Sequence, residues 1–219
     1  MTDLSQLTVQ QILFRLTLVP MVVAGIIGVI RFRRFPTNLR ILTGLLWFVI
    51  PMNLLGFYIG LQKGNNLFLM PIYSAVELLL LALVYSFTLQ SAAFSRAMPW
   101  LAGGFLAYVL YDSLAAPTLL VFRPGQQIVQ GLLVLFFVGL YFRKLLNELQ
   151  VLHLKQEPMF WVSAGLFLYF TGYLLIALFS NALLSYSLSL NKAIWTIHSV
   201  LFIVLYVCYC AALWLSPKK

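Results

Sequence analysis

Acidic side chains are nearly absent from this chain: five Asp and Glu occur among 219 residues, and charged residues of both signs make up only 9%. A water-soluble globular domain carries about a quarter of its residues charged, so that class is excluded. Histidine and cysteine are equally scarce, at two each. His153 and His198 fall at opposite ends of the alternating apolar runs. That separation argues against both a metal-dependent seven-helix hydrolase, which needs several His and Asp ligands, and bis-histidine haem. Cys208 and Cys210 stand two apart. On a helix such positions point about 200° apart, which makes a disulfide between them implausible. A retinal Schiff base needs a lysine deep in a span, and Lys192 sits only at the mouth of the last run. Gly-rich phosphate loops and a G-x-S-x-G elbow are missing. Neither a cofactor nor a metal is expected.

What the chain has is apolar length. Hydrophobic residues reach 63% and the mean hydropathy is +0.98. A helix crosses the hydrocarbon core with about twenty apolar residues, and irregular lipid-exposed backbone is not tolerated there. Parsed by that rule, the spans are 9–30, 41–61, 67–89, 100–116, 126–142, 159–183 and 193–215. The fourth and fifth are short, and the intervening 117–125, with Arg123 and two prolines, reads as a loop. The runs are continuously apolar, without the alternation a β-barrel would need. The expected fold is therefore all-α, a polytopic bundle of seven transmembrane helices, with 1–219 as one transmembrane domain and no room for a second soluble one.

The formal charge of +9 would suggest nucleic acid in a soluble protein, but no stretch interleaves basic and aromatic residues on an exposed face, so no nucleic-acid partner is expected. The excess instead carries orientation. Arg31, Arg33, Arg34, Arg40, Arg96, Arg143, Lys144, Lys155, Lys218 and Lys219 collect on one side, against Lys63, Arg123 and Lys192 on the other. Cytoplasmic loops retain Lys and Arg, which puts the N-terminus outside and the C-terminus in the cytoplasm. Met1 to Gln6 has no positive n-region or small-residue cleavage site, so a removable signal peptide is not expected. The inner loop 143–158 repeats Leu145, Leu149 and Leu152 at helical spacing and reads as an amphipathic extension on an anionic membrane surface, with a partner-binding stripe as the alternative.

Helices in lipid approach through small residues. Gly56 and Gly60 form a GxxxG, Ala24 and Gly28 a similar pair, and Gly165 shares a face with Gly172. Pro20 and Pro51 lie within spans as bends. Gln10-Gln11-Ile12 and Gln126-Gln127-Ile128 open the first and fifth spans alike. Asn66 precedes Ile72-Tyr73-Ser74 at the spacing by which Asn191 precedes Ile197-His198-Ser199. These matches suggest a three-plus-one-plus-three arrangement with parallel halves.

An ionisable side chain at mid-membrane costs roughly 2.5–3.5 kcal/mol on insertion scales, so each one needs a partner, a cavity or a function. Glu77 lies about 15 Å below the outer start of the third span, with Tyr73 one turn above on the same face. It is the prime candidate for binding a ligand, cation or proton. Arg15, Asn53, Asp112, Gln130, Tyr173, Asn181 and His198 also fall mostly in the outer half. Arg15 reads as a snorkelling residue with reach toward Glu77 as the alternative, His198 as a core histidine or a proton relay, and Asp112 as interfacial.

Asn65-Asn66-Leu67-Phe68 with Pro71-Ile72-Tyr73-Ser74 and Glu77, together with Phe160 to Gly165 and Tyr169, resemble uncharacterised small bacterial seven-helix integral membrane proteins. The resemblance implies an integral protein of the bacterial cytoplasmic (inner) membrane and carries no site residues across. The plan also looks like heptahelical receptors and like sugar transporters of three-plus-one-plus-three type, although the proline-glutamine motif of the latter is missing. The leading expectation is a sensor or receptor-like protein that binds a small ligand or proton in an outward-facing pocket, with a cytoplasmic or membrane signalling partner. The rivals are a small-solute, proton-coupled transporter and an intramembrane enzyme acting on lipid, with Glu77 and Asp112 as acid and base.

Overall fold

A computed structural model describes residues 13, 15–62, 64–115, 124–148, 154–184 and 188–216. Seven helices and no strand occur among the described residues: α1 (Leu18–Arg31), α2 (Thr37–Leu61), α3 (Leu69–Leu89), α4 (Ala92–Leu114), α5 (Pro124–Glu148), α6 (Pro158–Leu184) and α7 (Leu188–Leu215). Helices are forced by composition, because a long apolar segment in lipid must satisfy every backbone N–H and C=O within itself. Five of them, α2, α3, α5, α6 and α7, are long and apolar enough to cross a membrane. For α1 the described helix is 14 residues long, which is short of a span. The amphipathic inner-loop stripe falls largely outside the described residues, at Leu149 and Leu152, as do Gln10 and Gln11 of the sequence match.

α4 departs from its expected start at Trp100. It begins at Ala92, running through Pro99 and taking in Arg96. The start is set by Ser91, whose hydroxyl accepts a hydrogen bond from the Phe94 N–H, as an N-cap should. Directly before it, Gln90 ends α3 in the left-handed region, at φ 51°, and its N–H donates to the Ser86 carbonyl. Those two caps make the α3–α4 turn nearly immediate, and a span read from apolarity alone misses it because Gln90, Ser91, Ser95 and Arg96 interrupt the apolar run.

Six helices close a ring. α1 packs on α2 and α7, α2 on α3, α3 on α5, α5 on α6, and α6 on α7, while α4 leans against α3 and α5 from outside. Trp100, Tyr111 and Leu114 of α4 are almost wholly exposed, and apolar residues face outward on the other helices too, as lipid contact demands. The interior is filled by large side chains, with Tyr85, Tyr206, Tyr209, Phe137 and Phe170 fully buried.

The small residues divide. Ala24 is buried, and a methyl added to Gly28 would come within 2.7 Å of the Thr43 side chain, so the α1–α2 approach depends on that pair. Gly165 admits Cys208 and Gly172 admits Leu201, which brings α6 and α7 into their close contact. The GxxxG of α2 is not a helix seam. Gly56 receives the Asn66 amide on its carbonyl at 3.1 Å, and Gly60 has nothing within 4 Å. Among the prolines, Pro51 and Pro99 are helix-internal, while Pro20 falls in the first turn of α1 as described. Both cysteines are free thiols, Cys210 donating to the Pro20 carbonyl.

One buried bond ties helices that are not ring neighbours: Tyr85 Oη and Ser163 Oγ stand 2.8 Å apart, with both residues inaccessible. Tyr85→Phe leaves the Ser163 hydroxyl unpaired and is expected to cost about 1–2 kcal/mol in a detergent unfolding titration. Adding Ser163→Ala is expected to restore part of that loss. A double variant that shows the full sum of the two single losses would count against the bond.

Candidate functional site

The ends of the bundle differ in charge. α1 ends in Arg31, α2 is preceded by Arg33 and Arg34, and Arg143 and Lys144 lie near the end of α5. The Asn38 amide donates to Thr88, and the Lys144 ammonium donates to the Thr88 and Leu89 carbonyls, so the start of α2 and the ends of α3 and α5 meet here. A recess of about 450 Å³ opens at this basic end, lined by residues that include Asn38, Tyr141, Lys144 and Glu157. Lys144 caps the last carbonyls of α3 there, which is a structural task, as expected of a cation at a helix C-terminus.

A second cavity, about 280 Å³, runs down from the α2–α3 connection at the opposite end. α2 contributes Met52, Asn53, Gly56 and Phe57, the connection Asn66 and Leu67, and α3 Leu69, Met70, Tyr73, Ser74 and Glu77. α5 adds Gln127 and Gln130, α6 Tyr169, Phe170 and Tyr173, and α7 Trp195, His198 and Phe202. The α3 set follows helical spacing: Tyr73 and Glu77 differ by four, and Met70 with Ser74 likewise, so one face of α3 presents both pairs.

Glu77 is buried at 6% exposure, and its Oε2 accepts a 2.7 Å hydrogen bond from Gln130 Nε2. No lysine or arginine occurs among the described residues that line the cavity. One helix turn toward the mouth, Gln127 Nε2 donates weakly to Ser74 Oγ at 3.4 Å, and the buried Gln127 Oε1 has no hydrogen-bond partner among the described residues.

An aromatic wall stands opposite. His198 Nε2 meets Tyr169 Oη at 3.2 Å, and the His198 ring touches those of Tyr169, Tyr173, Trp195 and Phe202 at centroid distances of 5.2–6.2 Å. Tyr169 and Tyr173 stack at 5.7 Å with 11° between planes. These residues recur at three- and four-residue spacing on α6 and α7, which turns one aromatic face of each helix inward.

The structure thus brings together Glu77, Tyr73, Asn53, Tyr173 and His198 in one cavity. Asn53 spends its amide on the Val49 carbonyl at 2.9 Å, leaving its side-chain oxygen as the group available to the cavity. Two other sequence candidates lie elsewhere. Arg15 is exposed and outside the lining, and the donor to Glu77 is Gln130 in its place. Asp112 accepts from Gln126 at 2.8 Å at the α4–α5 contact and is likewise outside the lining, so the acid and base pairing with Glu77 is not assembled. The Asn181 side chain lies outside the described residues. Gln127, Ser74 and Trp195 were not singled out as site residues from the sequence. The signal for Gln127 was there in Gln126-Gln127 and Gln130, a cluster of amides in an otherwise apolar run.

Comparison with protein-family models, with curated proteins and with solved structures finds no match.

Proposed function

We propose that the chain is a receptor-like protein of the bacterial inner membrane that binds a small ligand in the Glu77 cavity. In this reading it crosses the membrane seven times, with the N-terminus outside and the C-terminus in the cytoplasm. The observation that carries the proposal is the convergence of polar groups from α2, α3, α5, α6 and α7 on one cavity of about 280 Å³ in an apolar bundle. Pockets of this kind, mostly apolar with a few convergent polar groups, are where small ligands bind. A buried carboxylate in such a place is costly unless it is used. The asymmetry of basic residues supports the orientation, and that orientation opens the cavity outward. A ligand that prefers one setting of the helices around the cavity shifts the population of the whole bundle, and a partner at the basic end reads the result.

A second reading, a small-solute transporter, has its own support. In the six-helix ring, exchanging α1, α2 and α3 with α5, α6 and α7 preserves every neighbour relation. The sequence match that pairs Tyr73 with His198 also pairs Glu77 with Phe202, and all four line the cavity. A parallel repeat places a substrate site between its halves in this way.

Thermal unfolding of the purified protein across a metabolite and lipid panel, for wild type and Glu77→Gln, tests the site. A compound-specific stabilisation that the variant loses is expected, on the order of 2–3 kcal/mol at a hundredfold excess over Kd. Identical profiles throughout would make Glu77 a structural hydrogen-bonding residue and remove the reading. Uptake of the stabilising compound into sealed vesicles then separates transporter from receptor.

A further inference from the structure

The donor and acceptor inventory of this cavity specifies a ligand class. We infer that its occupant is a small organic ammonium that still carries N–H, paired with Glu77 and enclosed by aromatic faces. The inference rests on the cavity being a ligand site, as proposed above.

Charge is the first ground. Among the described lining residues Glu77 is the only carboxylate, and no lysine or arginine accompanies it. An anionic ligand would meet that carboxylate with only His198 among them able to carry a compensating charge, and an uncompensated buried charge is prohibitive. An ammonium supplies the missing partner. The wall is the second ground. Tyr73, Tyr169, Tyr173, Trp195 and Phe202 surround the space beside the carboxylate. Aromatic faces attract organic cations through their quadrupoles. They offer a metal ion almost none of the oxygen ligands it requires.

The third ground is the carboxylate's remaining acceptor. Among the described residues the hydrogen bond to Glu77 is from Gln130 Nε2 to Oε2, while an ionised carboxylate accepts at both oxygens. An occupant with N–H groups donates to it, which favours a primary or secondary ammonium over a quaternary one. A bare proton would leave most of the 280 Å³ unused. That volume sets the size at a small metabolite with one ring or a short chain.

The test uses the full chain in detergent micelles and four probes of one shape: 2-phenylethylammonium, its N,N,N-trimethyl analogue, 2-phenylethanol and 3-phenylpropionate. Binding is read by thermal stabilisation and by quenching of Trp195 fluorescence, with Trp195→Phe as the control for the other tryptophans. The expected order puts phenylethylammonium at least tenfold tighter than the alcohol and the carboxylate, and several-fold tighter than the trimethyl analogue. Glu77→Gln is expected to bring the ammonium down to the level of the alcohol.

Equal binding of alcohol or carboxylate overturns the ammonium assignment and leaves the pocket standing. A trimethyl analogue that binds as tightly as the primary amine overturns the N–H pairing with Glu77. If none of the four binds while another compound class stabilises the protein, the ammonium assignment alone falls; if nothing in the wider panel stabilises it, the pocket reading falls with it. Should Glu77→Gln fail to fold, the order of the four probes on wild type decides.

Discussion

Arg31→Ala is expected to lower the unfolding free energy by about 3 kcal/mol. Arg31 is the last residue of α1, and its guanidinium closes the ring onto α7. Nη1 donates to the Leu213 carbonyl at 2.9 Å and to the Trp214 carbonyl, Nη2 donates to Ser216 at 3.0 Å, and the group lies 5.9 Å from the centre of the Trp214 ring. The last carbonyls of a helix have no partner within it, and the negative end of its dipole collects there. One planar cation thus satisfies two of these orphans, at Leu213 and Trp214, and the Ser216 carbonyl just past the helix end, each bond to a charged group contributing about 1.5–3 kcal/mol before discounting for interfacial water. Lysine is a point charge without the fork, so Arg31→Lys is expected to recover about half of the loss. Chemical unfolding in micelles reads the effect, and an unchanged midpoint for Arg31→Ala would discard the latch. Membrane orientation should survive the change, because Arg33 and Arg34 remain beside it. A reporter of C-terminal location separates that topogenic role from the structural one.

Gly165→Val is expected to destabilise the bundle by about 2–3 kcal/mol through overpacking. A Cβ at Gly165 would stand 2.8 Å from the Cβ of Cys208, an atom fixed to the α7 backbone that cannot move aside by rotation. Accommodating it means pushing α6 from α7, which also separates Tyr169 and Tyr173 from His198 and opens the aromatic wall. Gly172 gives the contrast. Its added methyl meets only the tip of Leu201, a flexible side chain, so Gly172→Ala is expected to stay within about 1 kcal/mol of wild type, helped by the better helix propensity of alanine. Equal losses for Gly165→Ala and Gly172→Ala in the same unfolding assay would contradict this ranking.

Some of the site was legible in the residues. Glu77 stands out because a carboxylate in the middle of an apolar run is rare and expensive, and Tyr73 follows from helical spacing. His198 and Tyr173 were read as candidates for their polarity and were found at the cavity. Arg15 and Asp112 carried equally polar side chains and were not. Polarity announces that a residue needs an environment; it does not say which one. Gln127 illustrates the reverse, since an amide near a span end resembles an interfacial residue until its carbonyl oxygen is seen buried and without a partner among the described residues.

The sequence by itself determined that this is an all-helical chain of long apolar segments, with basic residues gathered at one set of connections and a single deep carboxylate. These are local properties: a segment in lipid satisfies its backbone internally, so each run becomes a helix whatever its neighbours do. Tertiary structure alone decided which faces turn inward, that Gly165 and not Gly60 is a seam, that α4 stands outside the ring, and that Glu77 pairs with Gln130 and not with Arg15. In water the buried face of a helix is marked by an apolar stripe, but in lipid both faces are apolar and the stripe vanishes. Which side chains meet is then set by close packing and buried hydrogen bonds between residues far apart in the chain.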